Sequence, residues 1–317
     1  MIRIFKYMIL ADNITKYFGA FKAVDSVSFE IGRGEIVGFL GRNGAGKTTL
    51  MRMLTGYLPT SEGKVIIDGK DMSKNPLSIK RNIGYLPENP PLYSNMTVKD
   101  YLKFAARLKD ITPKQILACV DRVIEECRLE DSRGKIISTL SKGYKQRVGI
   151  AQAIINEPEI IILDEPTSGL DPVQISHIRD LIGTLEHKRT VIVSTHILSE
   201  IEQIAKRVMI IKDGRIVKDD SLENILCSDN RKDIFIKVAG KEELIEKAIR
   251  QADGFKQINI DIVQDDVYLV QAENKNNILN YNDLLQKLVD NGAKVLEIKQ
   301  KKGSLEEEFL RINRLKL

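Results

Sequence analysis

The sequence lacks any long hydrophobic run. None of its stretches approaches the roughly 18 uninterrupted apolar residues that a membrane-spanning helix needs. The apolar run near the start follows Arg3 and Lys6 and ends at Asp12, which makes it too short for a secretory signal peptide. The sequence therefore predicts a cytoplasmic protein that encodes no membrane span of its own.

Cysteine is scarce, and the charge imbalance is small. Cys119, Cys127 and Cys227 form no CxxC pair, and the first two follow the apolar spacing of a helix, which predicts core residues rather than metal ligands. The net charge is +5, and residues 229–317 carry equal numbers of basic and acidic side chains. The excess of basic side chains therefore lies in residues 1–228, and it could serve phosphate binding or binding to an anionic membrane surface. Without a basic tail, we expect no nucleic-acid partner.

The first two-thirds of the chain have the pattern of an α/β domain. Residues 36–40, 160–163 and 191–194 are short, rich in β-branched side chains and almost wholly apolar. This composition is typical of strands that are buried on both faces of a sheet. Residues 97–130 are more polar and helical in pattern, which predicts a helical subdomain inserted over about residues 85–150.

A polar run at residues 227–232 predicts a domain boundary. We therefore expect one domain over residues 8–228 and an accessory domain over residues 229–317. The second domain has the pattern strand, helix, strand, strand, helix, strand, followed by a closing helix. This order predicts a small α+β domain with the ferredoxin-like split unit.

A glycine-rich segment follows the first of these strands. Residues 41–48 read Gly-Arg-Asn-Gly-Ala-Gly-Lys-Thr, which fits the phosphate-loop pattern G-x-x-x-x-G-K-[ST]. Glycines let successive N–H groups point at phosphate oxygens, and a helix beginning near Gly46 adds its positive N-terminal end. Lys47 is expected to reach the β- and γ-phosphates, and the Thr48 hydroxyl to ligate Mg²⁺. The alternative is a chance glycine-rich turn.

Two carboxylates end the second strand. Asp164 and Glu165 directly follow the apolar residues 160–163. A buried strand does not normally end in adjacent acids unless something satisfies their charge. Beside a phosphate loop, Asp164 is expected in the Mg²⁺ shell and Glu165 as the general base that polarises the attacking water. The alternative is a strand end that simply reaches solvent.

Three further segments carry a family resemblance. Leu-Ser-Lys-Gly-Tyr at residues 140–144 resembles Leu-Ser-Gly-Gly-Gln, the signature of ATP-binding cassette (ABC) proteins. Ser-Gly-Leu-Asp-Pro at residues 168–172 resembles the D-loop of that family, and Ser-Thr-His at residues 194–196 resembles its switch histidine. With the phosphate loop before them, these segments identify residues 8–228 as similar to an ABC nucleotide-binding domain.

The resemblance implies a phosphate-loop cassette with a mixed sheet core that binds and hydrolyses ATP with Mg²⁺. It implies that Ser141 and Gly143 face the γ-phosphate held by a second copy, so that two ATP molecules join a head-to-tail homodimer. Phe18 is expected to stack on adenine, with Tyr17 as the alternative stacker and core packing as the alternative role of Phe18. His196 is expected to donate to the γ-phosphate.

The expected site residues fall into three groups. Those expected to contact the nucleotide are Phe18, Gly41, Asn43, Gly44, Ala45, Gly46, Lys47, Thr48, Thr49, Ser141, Gly143 and Asp171. Those expected to act in catalysis are Glu165, His196 and Lys47, and those expected to hold the metal are Thr48, Glu88 and Asp164. Asp171 followed by Pro172 also has the pattern of a helix N-cap, a role that is compatible with the first.

The sequence departs from the usual family pattern at three positions. Glu88 follows Ile-Gly-Tyr-Leu-Pro where the Q-loop of the family usually has glutamine. A carboxylate there can still bind Mg²⁺ or its water. Lys142 and Tyr144 replace the first glycine and the glutamine of the signature. The resemblance therefore does not predict which contacts these two positions make with a second copy.

Residues 84–88 and 304–310 resemble an exporter-associated branch of the family, with ATPases linked to sodium efflux, drug resistance and gliding motility. The resemblance implies a separate integral-membrane permease as partner and a peripheral position on the inner face of the cell membrane. The alternative is a soluble ABC ATPase that acts on a ribosome or other macromolecule. The lone phosphate loop, and the gap between loop and signature that is too short for a coiled coil, disfavour it.

The segment after Glu88 is the expected contact with the membrane partner. Pro90 and Pro91 stiffen it, and Thr97 with Asp100 predicts a helix N-cap with a capping-box-like pair. The following helix is expected to bury Val98, Tyr101, Leu102, Ala105 and Leu108. The candidates for an exposed apolar rim, or else for inward packing, are Leu92, Tyr93, Met96 and Phe104. In the family, this region receives a short helix from the membrane subunit.

Overall fold

The computed structural model describes residues 7–185, 189–227, 234–252, 255–264, 266–274, 281–300 and 304–314. The chain separates into two compact units between Leu222 and Glu223. The polar residues 228–232, which mark the predicted boundary, lie outside the described residues, and the observed division falls a few residues before them. Helix α8 (Leu222–Cys227, numbered in chain order) begins at this division.

The first unit combines strands and helices in alternation. Its strands are β1 (Ile9–Phe18), β2 (Phe21–Ile31), β3 (Ile36–Leu40), β4 (Glu62–Ile67), β5 (Lys70–Asp71), β6 (Ile83–Leu86), β7 (Ile160–Asp164), β8 (Thr190–Thr195), β9 (Arg207–Lys212) and β10 (Arg215–Ser221). Its α-helices are α1 (Lys47–Leu54), α2 (Pro76–Arg81), α3 (Val98–Leu108), α4 (Ile116–Glu126), α5 (Lys142–Ile154), α6 (Pro172–Thr184) and α7 (Leu198–Ile204).

The larger sheet is mixed, as the sequence predicts. Its order is β10-β9-β3-β8-β7-β6, with parallel pairing from β9 to β6 and an antiparallel edge strand β10. Every residue of β3, β7 and β8 is buried, which explains their almost wholly apolar composition. Because these strands are parallel neighbours, the segments that follow their carboxyl ends meet at one edge of the sheet, where ligands bind in open α/β sheets.

A second, antiparallel sheet of order β2-β1-β4-β5 shares one apolar core with the mixed sheet and helix α1. The rings of Phe29 on β2 and Phe39 on β3 lie 5.4 Å apart in an edge-to-face arrangement within this core. Burial of each such side chain stabilises the fold by about 1.5–3 kcal/mol. The core thereby fixes the end of β3, and with it the loop that leads into α1.

Helices α3, α4 and α5 contact one another and form the inserted helical subdomain. Thr97 caps α3, since its hydroxyl accepts from the Asp100 N–H at 3.2 Å and donates to the Asp100 carboxylate at 2.8 Å, as predicted. The predicted buried stripe is correct except at Leu108, which is 68% exposed. Leu108 is the last residue of α3 and lies at the edge of the stripe, and Ala106 is buried instead.

The apolar rim expected after Glu88 is narrower than predicted. Tyr93 is 56% exposed, whereas Leu92, Met96 and Phe104 are half-buried. The ring of Tyr93 packs against that of Phe104 at 5.3 Å, which draws Phe104 inward. Tyr93 is thus the exposed aromatic residue of this surface.

The second unit is an antiparallel sheet with two helices on one face. Its elements are β11 (Ile234–Ala239), α9 (Glu242–Arg250), β12 (Phe255–Gln264), β13 (Val267–Asn274), α10 (Tyr281–Asp290), β14 (Lys294–Gln300) and α11 (Leu305–Arg314). The sheet order β12-β13-β11-β14 places the first and third strands in the centre. Ile236, Val270, Leu284 and Leu288 share the core beneath α9 and α10. This arrangement confirms the predicted ferredoxin-like split unit.

Candidate functional site

The glycine-rich loop joins β3 to α1 in the conformation that anion binding requires. Gly46 is the N-cap residue of α1 and has a φ of 106°, so the cap has no side chain that could occupy the first N–H groups of the helix. A Cβ at this position would lie 2.6 Å from the carbonyl oxygen of Ala23, so only glycine fits. The free N–H groups and the positive end of the helix form a site for phosphate.

Lys47 lies across this loop and is almost fully buried. Its Nζ donates to the carbonyl oxygens of Gly41 at 2.7 Å and Arg42 at 3.3 Å. It also forms an ion pair with Glu165 Oε1 at 3.2 Å, with both side chains less than a tenth exposed. The loop therefore holds its lysine against Glu165, the acid that directly follows β7.

Glu165 is fixed by the backbone and side chains of the neighbouring strand. Its N–H donates to the carbonyl oxygen of Ser194 at 3.0 Å and to the Ser194 hydroxyl at 3.1 Å. Its φ is 49°, an uncommon conformation for a residue with a side chain. The other carboxylate oxygen, Oε2, lies 2.8 Å from Nδ1 of His196, which follows the end of β8. Glu165 thus contacts both Lys47 and His196.

Asp164 is fully buried and has one satisfied carboxylate oxygen. Oδ1 accepts from the hydroxyls of Ser194 at 2.6 Å and Thr48 at 3.3 Å, whereas Oδ2 has no hydrogen-bond partner among the described residues. Burial raises the pKa of this carboxyl, and the hydroxyls of Ser194 and Thr48 oppose that rise. An unpaired carboxylate oxygen beside a threonine hydroxyl suits a hard divalent cation.

The donor set indicates which cation fits. In the part of the chain that the structure describes, no three His, Cys, Asp or Glu side chains form a metal-binding cluster. A site with one or two carboxylates and a hydroxyl is typical of Mg²⁺, which keeps several waters and completes its shell with substrate phosphate. The residues at this edge of the sheet therefore fit Mg²⁺ bound together with a nucleotide.

A cleft of about 530 Å³ opens over the loop. The predicted residues that line it are Phe18, Asn43, Gly44, Gly46, Lys47, Thr48, Thr49, Glu88, Glu165 and His196. Gly41 and Ala45 belong to the same loop but do not line the cleft. Tyr17, the alternative stacker, is not among the lining residues. The structure thus brings the phosphate loop, Glu88, Glu165, His196 and Phe18 to a common cleft, whereas Asp164 is buried and does not line it.

Three lining residues were absent from the predicted site residues, namely Phe21, Ala23 and Ser168. Phe21 is 65% exposed and pairs directly with Phe18 across the turn between β1 and β2. The signal was present in the sequence, because two strand patterns separated by the short turn Gly19 and Ala20 place Phe18 opposite Phe21. The cleft therefore contains two adjacent aromatic rings on which the ring of a nucleobase can stack.

Ser141, Gly143 and Asp171 do not line the cleft. Ser141 is the N-cap of α5, and its hydroxyl accepts from the Tyr144 N–H at 3.4 Å. Asp171 caps α6 in the predicted manner by accepting from the Gln174 N–H at 2.9 Å, with Pro172 at the first helical position. A Cβ at Gly143 would lie 2.3 Å from Oε1 of Gln174, so the two caps lie close together. The predicted nucleotide contacts thus form two groups within one chain: one group lies around the cleft, and the other lies at the N-termini of α5 and α6.

Sequence comparisons place these features in a family. A family model described as ABC transporter matches residues 24–168. The bacitracin transport ATP-binding protein BcrA of Bacillus licheniformis is 36% identical over 308 residues, which are 96% of this chain and 97% of that protein. The lantibiotic transport ATP-binding protein SrtF of Streptococcus pyogenes is 34% identical over 72% of this chain and 96% of that protein.

Solved structures agree with the sequence matches. A dimeric post-hydrolysis state of the ATP-binding cassette MJ0796 bound to ADP and Pi has a TM-score of 0.63 and 26% identity, and covers 68% of this chain and 99% of that chain. An ATP binding subunit of an ABC transporter has a TM-score of 0.63 and 30% identity, and covers 69% of this chain and 91% of that chain. No helix among the described residues is long and apolar enough to cross a membrane.

The fold, the nucleotide-type cleft and relatives that align along nearly the whole chain lead to one conclusion. This chain belongs to the ABC transporter family and is an ATP-binding, ATP-hydrolysing protein of that family.

Proposed function

We propose that the chain is the ATPase subunit of a membrane exporter. In this proposal two copies close around two ATP molecules, hydrolyse them, and drive a separate integral-membrane permease from the inner face of the cell membrane. Relatives named for bacitracin and lantibiotic transport support the assignment to a transport system. The dimer of the similar cassette with ADP and Pi supports the assembly.

The chemistry is assigned to three residues that meet at the strand ends. Lys47 neutralises charge on the β- and γ-phosphates, and Glu165 accepts the proton of the attacking water. His196 lies 2.8 Å from Glu165 and lines the same cleft, so it is within reach of a terminal phosphate bound there. Phe18 and Phe21 provide the rings that contact adenine.

Mg²⁺ is assigned to Thr48, Asp164 and Glu88. Oδ2 of Asp164 and the Thr48 hydroxyl provide the oxygen ligands nearest the phosphate loop, directly or through water. Glu88 lines the cleft and contributes a further carboxylate. When bound, the ion neutralises charge that develops on the phosphate oxygens.

The second copy completes each site in this proposal. Ser141, Gly143 and Asp171 lie outside the cleft of their own chain, at the N-termini of α5 and α6. Helix N-termini favour anions, so these groups suit the γ-phosphate held by another copy. Lys142, beside Gly169 of the D-loop, adds a positive charge to this surface where the usual signature has glycine.

One observation carries the link to a partner. In the segment after β6, Glu88 lines the nucleotide cleft, whereas Pro87, Asn89 and Pro91 line a second cleft of about 460 Å³ on the other side. The prolines have fixed φ angles, so a shift of Glu88 moves the wall of the second cleft with it. A bound nucleotide can thereby act on whatever occupies the second cleft.

The second cleft suits an inserted helix from the permease. Arg52, Lys80 and Lys109 line it together with Tyr57 and Tyr85, and no carboxylate of the described residues does. Exposed Tyr93 lies on the same segment, a few residues beyond Pro91. An aromatic and basic groove of this kind fits an amphipathic helix with apolar and acidic side chains.

We expect Tyr93→Glu to weaken co-purification with the permease by roughly tenfold or more, the effect of losing an aromatic anchor at an interface. Basal ATPase activity should stay largely intact, because Tyr93 does not line the nucleotide cleft. The measurement is quantitative pull-down of the permease from membrane extracts, alongside a steady-state ATPase assay.

Leu117→Glu is the matched control for this variant. Leu117 is an apolar residue of α4 in the same helical subdomain and is 53% exposed. Its replacement should leave both permease capture and ATPase activity unchanged. Normal permease capture by a folded Tyr93→Glu protein would place the docking surface elsewhere. Co-sedimentation of the wild-type chain with ribosomes rather than membranes would contradict the exporter assignment.

A further inference from the structure

The first unit contains a buried carboxylate that the proposed chemistry does not use. Glu200 lies on α7 and is 6% exposed. No ion pair joins it to a described basic side chain, and its Oε1 has no hydrogen-bond partner among the described residues. A buried carboxylate is unfavourable unless specific donors satisfy it. The groups that donate hydrogen bonds to the Glu200 carboxylate therefore indicate its role.

Both donors of Glu200 are buried threonine hydroxyls. Oε2 accepts from Thr167 Oγ1 at 2.5 Å and from Thr195 Oγ1 at 3.0 Å. The Thr195 hydroxyl oxygen in turn accepts from the N–H of Ile197 at 3.0 Å, so its proton is directed to Glu200. Hydrogen bonds to an ionised acceptor are the shorter and stronger kind. One oxygen atom thus ties two separate segments together.

The two segments are those that carry the base and the histidine. Thr167 follows Glu165 by two residues, in the turn closed by the Ser168 N–H and the Glu165 carbonyl oxygen at 3.2 Å. Thr195 directly precedes His196 at the end of β8. Glu165 has a positive φ, which persists only where the surroundings hold it. Glu200 is placed to supply that restraint.

On the basis of the roles proposed for Glu165 and His196, we infer that Glu200 is a positioning residue for ATP hydrolysis. Its carboxylate fixes the spacing between the turn after β7 and the end of β8, which maintains the 2.8 Å contact between Glu165 Oε2 and His196 Nδ1. Glu200 does not line the nucleotide cleft. It acts only through the two threonines.

A purely structural role is the rival explanation. Helix α7 packs against β3, and a Cβ at Gly38 would lie 2.5 Å from Cδ1 of Ile201. If Glu200 served only this packing, its replacement would lower stability and leave the turnover of the folded fraction unchanged. A positioning role instead predicts a loss in kcat with little change in KM or ATP affinity.

The test begins with Glu200→Leu and Glu200→Gln. Leucine removes both acceptor contacts and is expected to lower kcat on the order of 10²-fold, the effect of a small misplacement of reacting groups. ATP affinity should stay near normal, because the phosphate loop is untouched. Glutamine keeps a carbonyl oxygen that can accept both hydroxyls, so it should retain most of the kcat.

Threonine variants test the same connection from the other side. Thr167→Val and Thr195→Val each remove one donor, and the double variant should lower kcat much as Glu200→Leu does. Adding Glu200→Leu to that double variant should lower kcat little further, because residues in one network are not additive. These variants keep the test decisive if Glu200→Leu does not fold.

Thr190→Val is the matched control. Thr190 lies at the opposite end of β8, is 2% exposed, accepts from the Gly34 N–H at 3.0 Å and donates to the Gly32 carbonyl at 3.3 Å. Thr190→Val should lower Tm without lowering the kcat of folded protein.

An equal loss of kcat in Glu200→Gln and Glu200→Leu would overturn the inference, as would a normal kcat in the double threonine variant. If Glu165→Gln has lost ATPase activity while Glu200→Leu has a normal kcat, the positioning role of Glu200 fails and the proposed function stands. If Glu165→Gln is active, Glu165 is not the general base, and the proposed function fails at that residue.

Discussion

Replacing Glu165 by glutamine is expected to preserve ATP binding and to lower steady-state turnover by roughly 10²- to 10⁴-fold, the contribution of a positioned general base. Glutamine keeps the size of the side chain and can still hydrogen-bond His196, which lies 2.8 Å from Glu165 in the wild-type protein. It does not accept a proton from water. Since hydrolysis would end the ATP-bound state, slow turnover should trap the dimer.

Two measurements check this expectation. A steady-state ATPase assay gives the turnover, and size-exclusion chromatography with ATP and Mg²⁺ gives the dimer. Glu159→Gln is the matched control, because Glu159 directly precedes β7 and forms an ion pair with Arg33 at 2.8 Å on the surface. Its turnover should be normal. Near-normal turnover of Glu165→Gln would assign the base to another residue.

Replacing Lys47 by alanine is expected to weaken nucleotide binding itself, and not only turnover. The change removes the charge that faces the β- and γ-phosphates. It also leaves Glu165, 6% exposed, without its cation 3.2 Å away, so the cleft becomes more negative where the phosphates bind. Truncating one partner of a buried charge pair between a protein and its ligand, here the lysine that faces the phosphates, costs about 2–5 kcal/mol of binding free energy. ATP affinity should therefore fall by more than an order of magnitude.

Isothermal titration calorimetry with ATP and Mg²⁺ measures this affinity directly. Lys70→Ala is a suitable control, because Lys70 is an exposed lysine of β5 and does not line the cleft. Thermal unfolding of both variants separates lost binding from lost folding. An unchanged affinity in folded Lys47→Ala would contradict the assignment of residues 41–48 as the phosphate-binding loop.

The sequence by itself determined the features that depend on a few consecutive residues. A phosphate loop requires a strand, a glycine turn and a helix start in direct succession, and residues 41–48 contain the turn. The N-caps at Thr97 and Asp171 were predictable because a cap bond joins residues only three positions apart. The buried strands were predictable because their composition reports burial on both faces. In the second domain, the element order alone indicated the split unit that the strand pairing confirms.

Contacts between distant parts of the chain were decided only by the tertiary structure. Lys47, Glu165 and His196 meet because β3, β8 and β7 are neighbours in the sheet, and this strand order is not written in the order of the elements. The same holds for Glu200, whose helical position gave no sign that it would join Thr167 and Thr195. Exposure at the end of a helix, as at Leu108, also depends on what packs against it. Local hydrogen bonds and hydrophobic periodicity belong to short segments, whereas the convergence of side chains follows from how the whole chain buries its apolar faces.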